Sequence, residues 1–99
     1  MWHEAALHFA ADHPSVAGHF PGYPIVPGAL ILDEVVMAIA GTAHNGHVVI
    51  RTTKFLIPLL PGEDVRLRWQ TLASGKVTFE CTRSGDQNVA VTGMIELQP

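Results

Sequence analysis

Pro21, Pro24 and Pro27 recur at three-residue intervals and lead into Ala29–Ala40, a segment whose charges are confined to Asp33 and Glu34. Each proline fixes φ, removes a backbone donor and pushes the residue before it toward extended conformations. The run Gly18-His19-Phe20-Pro21-Gly22-Tyr23-Pro24-Ile25-Val26-Pro27-Gly28 is therefore predicted as a rigid extended loop. A helix opens at Gly28 or Ala29, runs to about Ala40 and stops at Gly41, a residue type suited to the position after a helix. That helix is apolar on nearly every face, which predicts a buried central element rather than a surface one. Whatever else the chain folds into has to cover it.

The remainder reads as strands. Ala5, Leu7 and Phe9 alternate with Ala6 and His8 within Trp2–Asp12, until His13-Pro14 breaks the pattern. Asn45-Gly46 marks a turn, and His47–Ile57 is β-rich up to Pro58. After a turn at Pro61-Gly62-Glu63-Asp64, Val65, Leu67 and Trp69 alternate with Arg66, Arg68 and Gln70. Ser74-Gly75 turns the chain into Val77, Phe79 and Cys81, and Ser84-Gly85-Asp86 turns it again into Val89, Val91, Ile95 and Leu97. These last three strands are predicted as an antiparallel meander with one polar and one apolar face. One helix against five strands is an α+β arrangement, with a curved antiparallel sheet wrapped around the helix. For 99 residues and no linker-like stretch, area scaling gives roughly 5,500 Å² of folded surface and burial of about 65% of the unfolded chain's. Residues 1–99 are thus expected to form one domain.

Composition narrows the function. Only 15% of residues are charged, against about 25% in an average soluble chain, so part of the surface is expected to be covered by another subunit. A net charge of −3 argues against nucleic-acid binding, which needs a basic face. Cys81, the single cysteine, has no partner for an internal disulfide. Met1-Trp2-His3-Glu4 lacks the basic start of a signal peptide. The most apolar run is too short for a membrane span of about 20 residues. A cytoplasmic protein without nucleic-acid or membrane partners is the expectation.

The stretch from His19 to Asp33, with an acid fourteen residues after the histidine in an apolar helix, resembles the 3-hydroxyacyl-acyl-carrier-protein dehydratases of fatty-acid synthesis. Lys54-Phe55-Leu56-Ile57-Pro58-Leu59-Leu60-Pro61-Gly62-Glu63 is similar to a second segment of that family. The likeness runs through nearly the whole chain, although the extra helix and strand that family members usually carry upstream have no counterpart in these residues. The resemblance implies the hotdog fold. It also implies a hydro-lyase that converts 3-hydroxyacyl thioesters on acyl-carrier protein or coenzyme A to 2-enoyl thioesters, with no metal or organic cofactor.

Residue by residue, the resemblance assigns His19 as base, Asp33 as acid and the Gly28 N–H as the donor that polarises the thioester. It implies substrate contacts from Phe20, Pro21, Gly22, Ile25 and Pro27. The residue types suit the reaction. An imidazole titrates near neutrality and can take the C2 proton. A carboxyl in apolar surroundings tends to keep its proton for the leaving hydroxyl. A helix N-terminus stabilises negative charge growing on the thioester oxygen. In the family, histidine and acid come from different subunits, which implies a homodimer or higher oligomer, or a heterodimer with a related hotdog subunit. Short chains of this type also resemble the dehydratases of polyene or polyketide-like pathways.

An aspartate at position 33 is similar to the dehydratase–isomerase arm of the family; the dehydratase-only arm has glutamate. One helical turn on, the family commonly has a glutamine that can orient the acid. Met37 stands there and cannot. Two alternatives follow: hydrolysis of acyl thioesters on the same fold, or a non-catalytic subunit that completes a partner's site. Glu34 lies about 100° around the helix from Asp33 and is read as a solvent-reaching or structural carboxylate. His44 and His47 lack metal-ligand spacing and are read as surface residues. Cys81 sits on the apolar side of its strand and is read as an inert thiol. Arg51, Lys54, Arg66 and Arg68 are either a docking patch for an acidic carrier protein or a solvated strand face.

Overall fold

The computed structural model describes residues 1–10, 25–41 and 46–98. Strand β1 spans His3–His8, helix α1 Gly28–Ala40, β2 His47–Phe55, β3 Asp64–Thr71, β4 Lys76–Arg83 and β5 Val89–Gln98, with one short 3₁₀ turn at Ala73–Gly75. The strands form one sheet in the order β1-β3-β4-β5-β2, and every pairing is antiparallel. This is the hotdog architecture, with α1 laid on the inner face of the sheet. The expected meander β3-β4-β5 is present.

Register decides which side chains meet the helix. Leu67 stands opposite Ala5 on one side and Cys81 on the other. Cys81 stands opposite Val91, and Val77 opposite Ile95. Because successive residues alternate between faces, Leu7, Val65, Leu67, Val77, Phe79, Cys81, Val91 and Ile95 share the inner face, and all are buried. The outer face carries Glu4, Arg66, Arg68, Glu80 and Lys54 by the same register.

Two bulges interrupt that alternation. On β2, Ile50 pairs with Ile95 and Thr52 with Met94, so Arg51 is an extra residue. On β5, Cys81 pairs with Val91 and Thr82 with Val89, which leaves Ala90 as the extra residue. Simple alternation puts Val89 on the same face as Val91; the bulge instead sets it opposite outward-facing Thr82. Ala90 is fully buried, and its carbonyl accepts the N–H groups of Leu56 at 2.8 Å and Ile57 at 3.3 Å. Bulges of this kind bend and twist a sheet, here on β5 and β2, which pair with each other at one side of it.

The helix begins and ends where the sequence predicts. Its C-terminus closes on Gly41, whose φ of 68° and N–H bond to the Met37 carbonyl at 2.9 Å are those of a glycine stop. β1 is shorter than its alternation suggests and ends at His8. Phe9 is nonetheless buried, and its carbonyl accepts the Gly62 N–H at 2.7 Å.

Within the single chain the cover of α1 is one-sided. Ile31 and Val35 are its buried residues, and Ala38 and Ile39 continue that stripe against the core. Each fully buried aliphatic side chain there contributes about 1.5–3 kcal/mol. Asp33, Glu34 and Met37 point the other way and are exposed, Met37 to 54%. A single five-stranded layer can cover only one side of a helix, so the second side stays open.

Candidate active site

The chain enters α1 through Ile25, Val26 and Pro27. Val26 is buried and its N–H donates to the Leu59 carbonyl at 2.8 Å, which ties the entry to the segment after β2. Pro27 occupies the N-cap with φ −60° and ψ 140°, and its carbonyl accepts the N–H groups of Leu30 and Ile31 at 3.1 and 3.2 Å. Proline has no side chain that can cap, and the first turn holds no acid. Among the described residues the Gly28 N–H therefore has no acceptor, as the first N–H groups of an uncapped helix do not. It stands at the positive end of the helix dipole.

Asp33 lies five residues on, exposed, at the rim of a groove of 530 Å³ between α1 and β2. Leu32, Val36, Met37, Val48 and Ile50 supply apolar walls to that groove, and Asp33 is the ionisable group among its described lining residues. Met37 borders it one turn beyond Asp33, where it offers the carboxyl no hydrogen-bond donor. Glu34 is exposed and does not line it. Ile25 and Pro27 are partly buried beside the helix entry. His19, Phe20, Pro21 and Gly22 lie outside the described residues, as does His44.

A residue that the motif reading passes over is brought to the site by β2. Phe55 faces inward opposite Val91, and its ring lies on Gly28 so closely that a Cβ there would meet ring carbons at 2.8, 3.1 and 3.4 Å. Glycine at the head of the helix thus serves close approach rather than backbone conformation, since a Cβ there would push the Phe55 ring aside. Phe55 belongs to the second family-like segment, but alternation counted from Val48 and Ile50 puts it on the outer face. The Arg51 bulge reverses that parity.

The remaining chemistry-bearing residues sort themselves by environment. Cys81 is fully buried, and burial, with a smaller push from the Glu80 charge, raises its thiol to about 12. A thiol held protonated in that way is a poor nucleophile. Arg66 pairs with Glu4 at 3.1 Å, Arg68 with Glu80 at 3.4 Å and Arg51 with Glu96 at 3.1 Å. Hydrogen bonds from Gln98 and Arg51 hold the Glu96 carboxyl below the usual range. Arg68 also lies 4.4 Å over the Trp2 ring. Lys54 has no ion pair among the described residues. Among those residues no group of three or more His, Cys, Asp or Glu side chains is placed to hold a metal, and no helix is long and apolar enough to cross a membrane.

Comparison with known proteins then places the chain. The family described as ApeI-like, ApeI dehydratase, matches residues 2–94. The chain belongs to the ApeI-like dehydratase family. Among curated relatives it is similar to the 3-hydroxyacyl-[acyl-carrier-protein] dehydratase FabZ of Haemophilus influenzae, 32% identical over 81 residues that cover 72% of this chain and 55% of the relative. The FabZ of Mannheimia succiniciproducens is 30% identical over 102 aligned residues, covering 91% and 68%. The chain thus spans only part of these relatives, little more than half of the Haemophilus protein. Among solved structures, an uncharacterized protein from Erwinia carotovora subsp. atroseptica superposes with a TM-score of 0.82 at 32% identity, over 99% of this chain and 83% of that one. The dehydratase heterocomplex ApeI:P from Xenorhabdus doucetiae matches with a TM-score of 0.79 at 25% identity, over 99% and 88%. The dehydratase domain of the CurF module of curacin polyketide synthase, at 18% identity and a TM-score of 0.78, shares the fold of this ApeI-like chain.

Proposed function

We propose that the chain removes water from 3-hydroxyacyl thioesters, carried on acyl-carrier protein or coenzyme A, to give 2-enoyl thioesters. One observation carries this reading: in an ApeI-like dehydratase chain, the unacceptored Gly28 N–H and Asp33 stand on the same helix, with Asp33 on the rim of an apolar groove. In the proposed reaction His19 takes the C2 proton, the electron pair forms the C2–C3 double bond, and the C3–O bond breaks as Asp33 protonates the departing hydroxyl. The Gly28 N–H binds the thioester oxygen, where negative charge grows along the way. Water leaves, and the proton on His19 returns to Asp33 through solvent. Ile25 and Pro27, with Phe20, Pro21 and Gly22, contact the substrate, and the acyl chain lies in the groove beside Met37. The setting is cytoplasmic, with the carrier-bound thioester as partner.

The test is to incubate the purified protein with a 3-hydroxyacyl pantetheine thioester and follow loss of water by mass spectrometry. His19→Ala and Asp33→Asn are each expected to slow turnover by about 10²–10⁴-fold, the usual worth of a positioned acid or base. Dehydration at the wild-type rate in both variants overturns the assignment. Release of free thiol without dehydration replaces it with thioester hydrolysis.

A second reading concerns assembly. β2 is an edge strand whose charges, Arg51 and Lys54, are basic and which carries no acid. Arg51 is already answered by Glu96 at 3.1 Å, so a two-fold pairing of β2 with its own copy adds a second Lys54 with no acid to meet it, whereas a partner strand with a carboxylate would neutralise that charge. The ApeI:P relative is a heterocomplex. This favours a related hotdog subunit as the partner that completes the site, with activity appearing only on mixing.

A further inference from the structure

We infer that Phe55 limits the space beside the carbon next to the thioester carbonyl, and so selects acyl chains that carry no branch at C2; the inference rests on the dehydration proposed above. The Phe55 ring crowds the place a Cβ on Gly28 would take, with its nearest carbon 2.8 Å from that position. Its backbone is held on the far side, where the next two N–H groups, of Leu56 and Ile57, both donate to the Ala90 carbonyl. Pro58 follows closely and stiffens the exit from the strand. Phe55 is 52% exposed, so part of it packs on Gly28 while the rest stays accessible, and the proposal puts the substrate against that part.

A thioester oxygen that accepts the Gly28 N–H sits about 2.9 Å from that nitrogen. With a C=O bond of about 1.23 Å, the carbonyl carbon lies about 4 Å from the nitrogen, and C2 one bond further. C2 then lies at the end of the helix where the Phe55 ring packs, and the proposal sets the two in van der Waals contact, about 3.5–4.0 Å between carbons. Two hydrogens on C2 fit such a gap; a methyl in place of one of them does not. Ile25 and Pro27, the other proposed substrate contacts among the described residues, are aliphatic, so Phe55 supplies the flat aromatic surface among them.

The experiment compares wild type, Phe55→Ala, Phe55→Leu and Phe55→Tyr with unbranched and 2-methyl 3-hydroxyacyl pantetheine thioesters. Wild type is expected to favour the unbranched substrate in kcat/KM by roughly 10–200-fold, the range one methylene commands in a fitted pocket. Phe55→Ala is expected to erase most of that ratio, Phe55→Leu to reduce it part of the way and Phe55→Tyr to preserve it. A purely structural role would lower both substrates' rates together and leave the ratio in place, which overturns the inference. Should Phe55→Ala fail to fold, the intermediate ratio of Phe55→Leu decides. Binding of non-reactive analogues with methylene in place of sulfur, measured by calorimetry, separates this inference from the reading beneath it. Discrimination in binding that Phe55→Ala removes, in a protein that dehydrates neither substrate, upholds the wall and overturns the lyase. Dehydration with no C2 discrimination does the reverse.

Discussion

Gly28, Phe55 and Cys81 show how much a single position decides in this chain. Adding a Cβ at 28 pushes it into the Phe55 ring, while Ala is the better helix former. Because that ring can swing toward its open side, Gly28→Ala is expected to cost only about 1 kcal/mol in the wild type, at the low end of overpacking. In a Phe55→Ala background the same change becomes neutral or stabilising. A double-mutant cycle by denaturant unfolding should return a coupling of about 1 kcal/mol; additive effects would show that ring and helix do not touch. Cys81 has a different signature. Its folded thiol holds its proton up to about 12, against 9.0 without burial. Between those values the unfolded chain has released a proton that the folded chain keeps, so stability falls as pH rises, by up to about 1.4 kcal/mol per pH unit. Unfolding curves at about pH 8 and about pH 10 should therefore diverge in wild type by more than in Cys81→Ala. The thiol's burial was readable from its alternation with Val77 and Phe79. The Phe55–Gly28 contact was not, since it depends on a change of strand parity that composition does not announce.

Among the elements, α1 is the most legible. Its start at Gly28 and its stop at Gly41 follow from proline and glycine chemistry. Its nearly continuous apolar pattern does not reveal that the chain's own sheet covers only the stripe through Ile31 and Val35. Apolar periodicity reports which residues need cover; it does not say how many layers supply it. Ile31→Ala is expected to cost about 2–5 kcal/mol in thermal or denaturant unfolding, as for a fully buried aliphatic residue. Met37→Ala should stay within about 0.5 kcal/mol for a monomer. A larger loss at Met37 that grows with protein concentration would locate a second subunit over the groove. The candidate site divides in the same way: Asp33 and Gly28 were legible because a motif fixes their spacing along one helix, whereas the groove requires β2 to be folded beside it. β2 also has its own test. Replacing Lys54 with glutamate removes one cation from the edge strand, and sedimentation velocity should show stronger self-association in Lys54→Glu than in wild type. Salt should narrow the difference, because screening weakens repulsion between exposed charges.

For the whole molecule, the shortage of charge acquires a location. The outer face of the sheet is laced with ion pairs, Arg66 with Glu4, Arg68 with Glu80, and Arg51 with Glu96. The open flank of α1 and the nearby edge strand instead present Met37, Ile50 and Phe55. Ion pairs thus concentrate on the outer face, while the open flank sets exposed apolar side chains beside Asp33 and Glu34. The Arg51 bulge also bears on how the chain compares with others of its kind. Because Arg51 is the extra residue opposite the Ile95–Met94 step, its removal would leave Val48, Ile50, Thr53 and Phe55 on the faces they now occupy. A homologous strand one residue shorter at this point would present the same surfaces to helix and neighbour. A one-residue gap between Ile50 and Thr52 is thus a length change that the fold absorbs without turning any side chain around.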